Sequence, residues 1–261
     1  VSPGAIHREE PAPHIVRLTL DRPTKLNAFD QPMLAALDAH LAALEADTST
    51  RVVILAAAGG KAFCAGADIG AWGALEPLDM WRRWISDGNR LLDRLARLRP
   101  PVIAAIDGIA FGGGLELALC ADLRLATAVS RFALPETAVG TIPGWSGIRR
   151  LVRLVGLARA KAMVLTGEAL DADAALQVGL VAEVVPDRTA LEARALELAR
   201  TIAERAPVAT QLAKALLDEA AGEDSGAAIQ GFASAVTAFT EDGKEGVAAF
   251  REKRPPRFSG R

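Results

Sequence analysis

The sequence predicts an α/β layered fold with a helical C-terminal region, on three observations. RVVILAAAGG (51–60) and PVIAAIDGIA (101–110) are short continuous apolar runs, the pattern of strands buried on both faces. Stretches with helical periodicity alternate with them, as a layered α/β fold requires. From about Leu157 onward the texture is almost wholly helical, broken only by GLVAEVVP. With 261 residues, 51% of them hydrophobic, the chain has ample material for one core with a smaller appendage rather than two complete domains.

Taken in order, HIVRLTLDRP alternates apolar and polar residues from His14 to Leu20 and stops at Pro23, as a half-exposed strand does. A helix is expected from Met33 to Glu45, with Leu34, Leu37, Leu41 and Leu44 on one face. RVVILAAAGG follows as a buried strand closed by Gly59 and Gly60. The segment WRRWISDGNRLLDRLARLRPP is helical up to its double-proline stop, and PVIAAIDGIA is the next strand. FGGGLELALCADLRLAT reads as a helix passing quickly into a strand. The expected body runs through residue 186, and residues 187–261 form a helical tail of the kind that packs against a neighbouring subunit.

Composition narrows the function. Thirty basic against 32 acidic residues leave a net charge of −2, so no positive field points to a nucleic-acid partner. Cys64 and Cys120 lack CxxC spacing and read as buried filler in a reducing compartment. No apolar stretch is long enough to span a bilayer, and VSPGAIHREEPAPH has no signal-peptide core, so a soluble cytoplasmic protein without a membrane partner is expected. Whether a segment precedes Val1 is left open.

Familiar catalytic signatures are absent. His7, His14 and His40 all precede the first glycine-rich segment, which disfavours a histidine-based triad. GWSG lacks the spacing of a nucleophile elbow, no GxxxxGK[ST], HExxH or CxxC occurs, and Leu117 occupies the last position of a would-be GxGxxG. No metal site is expected.

Two glycine-rich stretches remain, FCAGADIG (63–70) and FGGGLE (111–116), each following a predicted buried strand. Small residues there let a ligand approach the backbone, and the free N–H groups of a helix start favour negative charge. Two such turns can aim N–H groups at one oxygen, the arrangement that a thioester becoming an enolate needs. For an isolated GGG, tight helix–strand packing is the more economical account. Glu116 changes that balance: three residues after Gly113, flanked by Leu115 and Leu117, it stands one turn along from such an amide, poorly solvated and raised in pKa. Glu136, after Pro135 in FALPETAVGTIPGWSG, is by itself an ordinary loop acid; paired with Glu116 it completes an acid/base couple.

These motifs in their order resemble the enoyl-CoA hydratase/isomerase (crotonase) superfamily, through LDRPTKLNAF, AFCAGADI, AAIDGIAFGGGLELALCADLRLA, FALPETAVGTIPGWSGIRRL, GLVAEVVP and EGVAAFREKRPPRF. The resemblance implies a spiral of ββα turns with a C-terminal helical trimerisation region, assembled as a homotrimer or dimer of trimers. It places the oxyanion donors on the N–H groups of Ala67 and Gly113, and the two hydratase glutamates on Glu116, which activates water, and Glu136, which also holds the water and protonates Cα. It puts Lys25 and Leu26 near the nucleotide of an acyl-CoA thioester, Ala65, Asp68 and Ile69 along its path, and Gly112, Pro135, Gly144 and Trp145 among the further substrate-binding positions. Lys244, Arg251 and Lys253 are candidates for its phosphates. The implied reaction is hydration of a 2-trans-enoyl-CoA with no metal or redox cofactor. The alternatives are an enoyl-CoA isomerase or other enolate-forming enzyme, and a non-catalytic scaffold or RNA-binding homologue.

Two features depart from the family pattern. Thr24 precedes Lys25, and Trp145-Ser146 stands where small residues are usual. A bulky indole there is expected to narrow the acyl pocket or to offer a stacking wall. Of Trp72, Trp81 and Trp84, at least two are expected in core packing.

Overall fold

The computed structural model describes residues 3–73, 75–222 and 226–261, with the backbone alone at 227 and 228; Val1, where the question of a preceding segment arises, lies outside them. Among the described residues, ten strands and eleven α-helices follow in order: β1 (Ala5–Ala12), β2 (Ile15–Asp21), α1 (Gln31–Ala46), β3 (Val52–Ala57), β4 (Ala62–Cys64), α2 (Ile69–Trp72), α3 (Pro77–Asp79), α4 (Ser86–Ala96), β5 (Val102–Ile106), β6 (Ile109–Phe111), α5 (Gly113–Ala118), β7 (Leu123–Thr127), β8 (Arg131–Ala133), α6 (Gly147–Thr166), β9 (Leu170–Asp171), α7 (Ala172–Gln177), β10 (Glu183–Val185), α8 (Arg188–Ala203), α9 (Pro207–Ala220), α10 (Ala227–Phe239) and α11 (Glu241–Glu252).

The strands form two sheets of mainly parallel pairs, with the antiparallel pairs β1/β2 and β8/β9 at an edge of each. The first has the order β1-β2-β3-β5-β7-β10, the second β4-β6-β8-β9. Each of the pairs β3/β4, β5/β6 and β7/β8 therefore gives its first strand to one sheet and its second to the other, and each new turn adds beside the last. That is a spiral of β-β turns with intervening helices, the expected architecture.

The larger sheet is covered on both faces, which explains its continuous apolar runs. Val16, Leu18, Val53, Leu55, Val102, Ala104 and Ile106 face the main core, while Ile15, Val52, Ile54, Ile103, Ala105 and Leu125 face Leu191, Ala195, Ala199 and Ala203 of α8. Alanines along that helix let its backbone approach the sheet closely. Each fully buried Leu or Ile contributes roughly 1.5–3 kcal/mol.

Two compact units divide the described chain near residues 210 and 211. Helix α8 thus lies in the first unit, packed on the sheet, although the sequence reading assigns 187–261 to the tail. Strand β1 is absent from that reading. Its Arg8-Glu9-Glu10-Pro11 run hides any alternation, and as an edge strand paired only with β2 it tolerates a proline. The segment expected to be one helix from Trp81 up to the Pro100-Pro101 stop begins instead with a π-helical turn, Met80–Ile85, before α4. In the second unit, Thr240 caps α11 by accepting from the Gly243 N–H at 2.9 Å, and Phe239 and Phe250 are largely exposed. Among the described residues no helix is long and apolar enough to cross a membrane.

Candidate active site

The loop after β4 is pinned by the 22–30 segment. Ala65 N–H donates to Leu26 O at 2.9 Å, Phe29 N–H to Gly66 O at 2.8 Å, and Asp68 N–H to Phe29 O at 2.8 Å. Arg22 fastens the two segments through Asp68 Oδ2 (2.7 Å) and Asp30 Oδ2 (3.2 Å). This ion pair holds the Asp68 carboxyl below the usual carboxylate range, and Asp68 Oδ1 caps α2 by accepting from Gly70 N–H at 2.9 Å. Asn27, buried with φ 56°, donates from Nδ2 to both Ala58 O and Ala62 O at 2.9 Å. The amides on either side of Ala67 are thus occupied, whereas among the described residues no protein acceptor engages the Ala67 N–H.

The second glycine-rich stretch uses its three glycines for three different reasons. Gly112 has φ 52°, where an L side chain is strained, and its N–H donates to Ala133 O at 2.9 Å. At Gly113 a Cβ would fall 2.9 Å from the Trp145 ring and 3.5 Å from Ala67 N. A Cβ at Gly114 would sit 2.1 Å from the Cys64 carbonyl oxygen, so this glycine serves helix–strand packing. Gly66, with φ 110°, is the reciprocal gap, its absent Cβ 3.3 Å from Gly113 N. The unengaged amides of Ala67 and Gly113 therefore stand within a few ångströms of each other, as an oxyanion pair requires.

Glu116, only 2% exposed, projects from α5 into the same cavity. Its Oε1 accepts from Trp145 N–H at 2.7 Å and Gly147 N–H at 2.9 Å, and so closes the N-terminus of α6. Burial pushes its pKa up, opposed by these backbone donors and by the charge of Arg150. Glu136 opens the 3-10 turn Glu136–Val139 after β8, and its Oε2 has no hydrogen-bond partner despite being buried. Burial first, and then the Glu116 charge, push its carboxyl up to about 7. The two acids are thus unlike: one is anchored by amides, the other is poorly solvated near neutrality.

Both acids line a cavity of about 250 Å³, together with Ala65, Ala67, Ile69, Gly112, Gly113, Pro135, Gly144 and Trp145 from the sequence-derived set. Lys25, Leu26 and Asp68 do not line it: Lys25 and Leu26 are exposed on the loop beside it, and Asp68 is spent on Arg22 and the α2 cap. Lys244, Arg251 and Lys253 belong to the second unit, at α11 and its C-terminal cap. Trp84 is buried and Trp72 partly buried against the core, and both also line the cavity; Trp81 is exposed, with the Arg82 guanidinium 5.9 Å from its ring centre.

Sequence reasoning missed other parts of the wall, among them Met80, Ile85, Val139 and Ile142, along with Gly147 as a donor to Glu116. Val139 and Ile142 are themselves largely exposed at the cavity mouth, and nothing local marks Met80 or Ile85. Among the described residues no cluster of His, Cys, Asp and Glu is arranged to hold a metal ion.

The two-sheet spiral and the paired amides define a crotonase-fold protein. The enoyl-CoA hydratase/isomerase family profile matches residues 10–261, and the chain belongs to that family. It is 38% identical to a short-chain-enoyl-CoA hydratase of Clostridium acetobutylicum over 91% of both chains. A mitochondrial methylglutaconyl-CoA hydratase of Homo sapiens is 36% identical, over 97% of this chain and 76% of that protein. The crystal structure of an enoyl-CoA hydratase from Bacillus anthracis superposes with a TM-score of 0.81 at 38% identity, covering 98% of this chain and 99% of the other.

Proposed function

We propose that this chain is an enoyl-CoA hydratase, adding water reversibly across a 2-trans-enoyl thioester to give the 3-hydroxyacyl thioester. The observation that carries the proposal is the convergence of two unlike carboxylates and two unengaged amides on one apolar cavity. Relatives named as hydratases at 36–38% identity support it.

In this reading the thioester oxygen lies between the Ala67 and Gly113 N–H groups. Anionic Glu116, with Oε1 held by two amides, takes a proton from water through its other oxygen as the water oxygen bonds Cβ. The π electrons move onto the thioester oxygen as an enolate, where one well-aimed donor is worth about 3–4 kcal/mol. Glu136, with a pKa near 7, is protonated often enough to deliver a proton to Cα. Isomerisation needs one shuttling base, so a second carboxylate facing the cavity favours hydration. The chemistry calls on neither a metal nor a redox cofactor.

The same site supports an uncharged acyl group. Apart from the two acids its side-chain walls are mainly apolar, and no cationic side chain lines it among the described residues. A second carboxylate on the acyl chain would be desolvated beside two acids without a partner. Exposed Phe239 and Phe250 in the second unit support assembly of copies of this chain, as a trimer or dimer of trimers, which sedimentation analysis tests.

The deciding experiment is hydration of crotonyl-CoA, followed by loss of enoyl absorbance, with Glu116→Gln and Glu136→Gln alongside. Turnover lost about 10²-fold or more in each variant is expected. Isomerised or decarboxylated products from a substrate panel, with no hydration, would overturn the proposal.

A further inference from the structure

We infer that the Trp145 indole is a positioning device for Glu116, locking the Gly140–Gly147 loop so that the Trp145 and Gly147 amides meet one carboxylate oxygen. Apart from Pro143, the loop has little rigidity of its own. Glycines stand at 140, 144 and 147, and Ser146 is left-handed with φ 64°. Yet it presents two N–H groups to Glu116 Oε1 at 2.7 and 2.9 Å. Such a chain keeps two donors in register only if something outside the loop holds it.

The indole supplies that hold. It is 2% exposed, stands edge-on to Phe29 at 6.0 Å and lies 5.6 Å from the Trp84 ring. Its Nε1–H donates to Trp84 O at 3.3 Å, on the π-helical turn Met80–Ile85. Two glycines on separate helices make room for it. At Gly113 a Cβ would come 2.9 Å from the ring, and at Gly88 of α4 it would come 2.0 Å from Nε1. Ser146 Oγ adds a second tie, donating to Asn89 Oδ1 at 2.6 Å. The carboxylate held by the loop is faced by Glu136 and by Arg150, the latter paired with Asp93 of α4 at 2.6 Å.

Gly88 makes this testable, because it does not line the cavity and meets the site through the indole. The kinetic arm rests on the hydratase reading; a spectroscopic arm does not. In Gly88→Ala, which crowds the ring, and in Trp145→Phe, which removes the Nε1 donor, kcat is expected to fall about tenfold or more while KM stays within about threefold. In glutamate-¹³C-labelled protein, with Glu116 assigned through Glu116→Gln, its carboxyl titration midpoint should rise in both variants, because donors that favour the charged form are loosened. Should Gly88→Ala fail to fold, Trp145→Phe decides. An unchanged Glu116 titration overturns the inference whatever happens to kcat, and so does a change confined to KM or acyl-length preference. A moved titration in a protein that hydrates no enoyl-CoA would leave the positioning role standing and remove the hydratase reading.

Discussion

Replacing Glu136 by Gln should disable the enzyme and stabilise the fold, and the second effect should depend on pH with a definite sign. Glu136 titrates at about 7 in the folded chain against an ordinary 4.5, because burial disfavours its charged form. Between those values the folded state keeps a proton that the unfolded state releases, so its contribution to stability falls as pH rises and levels off above about 7. At about 1.4 kcal/mol per pH unit the interval from 4.5 to about 7 sets an upper limit of roughly 3 kcal/mol. Glu136 is partly exposed to the open cavity, and solvent screening reduces this to about 1–2 kcal/mol. Glutamine keeps the shape and carries no charge. Glu136→Gln should therefore melt about 3–6 °C higher than the parent at pH 8 and near the parent at pH 4.5. Melting followed by circular dichroism across that range, with crotonyl-CoA hydration on the same samples, measures both effects. A melting difference that does not change with pH would refute the burial argument, and undiminished hydration would remove Glu136 from the chemistry.

Three further outcomes are expected. Gly114→Ala drives a Cβ to 2.1 Å from the Cys64 carbonyl, backbone that cannot swing away, and should cost about 1–3 kcal/mol or more by denaturant titration; parent-like stability would contradict the packing account. Asn27→Ala removes two hydrogen bonds from Nδ2, one buried and one part-buried, and a third accepted from Arg22 N–H, leaving Ala58 O and Ala62 O without that partner, and should cost roughly 2–4 kcal/mol with little change in the specific activity of the remaining folded protein. An enoyl-CoA with a terminal carboxylate should show kcat/KM at least about 100-fold below an apolar analogue of similar length, since a buried charge without a partner costs several kcal/mol; equal values would show that the cavity holds a cation donor from elsewhere.

Much of the fold was legible because the information is local. RVVILAA and PVIAAI are apolar without alternation because both faces of their sheet are covered, and Leu37, Leu41 and Leu44 mark the buried face of α1. β1 was not legible, since an edge strand with one neighbour carries charges freely, and the π-helical turn at Met80–Ile85 has no periodicity distinct from an α-helix. Glu116, Glu136 and the two glycine-rich stretches could be singled out from local motifs, while the choice of Ala67 and Gly113 as proposed oxyanion donors came from the family resemblance. Trp145 read as a wall of the acyl pocket, and its tie to Glu116 was invisible because 29 residues separate them.

By itself the sequence determined which segments bury, where the backbone has room for another segment to pass close, and which two carboxylates stand among apolar neighbours, since period, glycine placement and flanking residues express these over a few positions. Only the tertiary structure decided that Ala67 and Gly113 present unengaged N–H groups side by side, that the GGG run divides into one strained turn and two close contacts, and that Gly88 makes room for an indole from a distant loop. Those facts depend on the distance between atoms far apart in the chain, which is set when the sheets stack and which no local pattern of residues encodes.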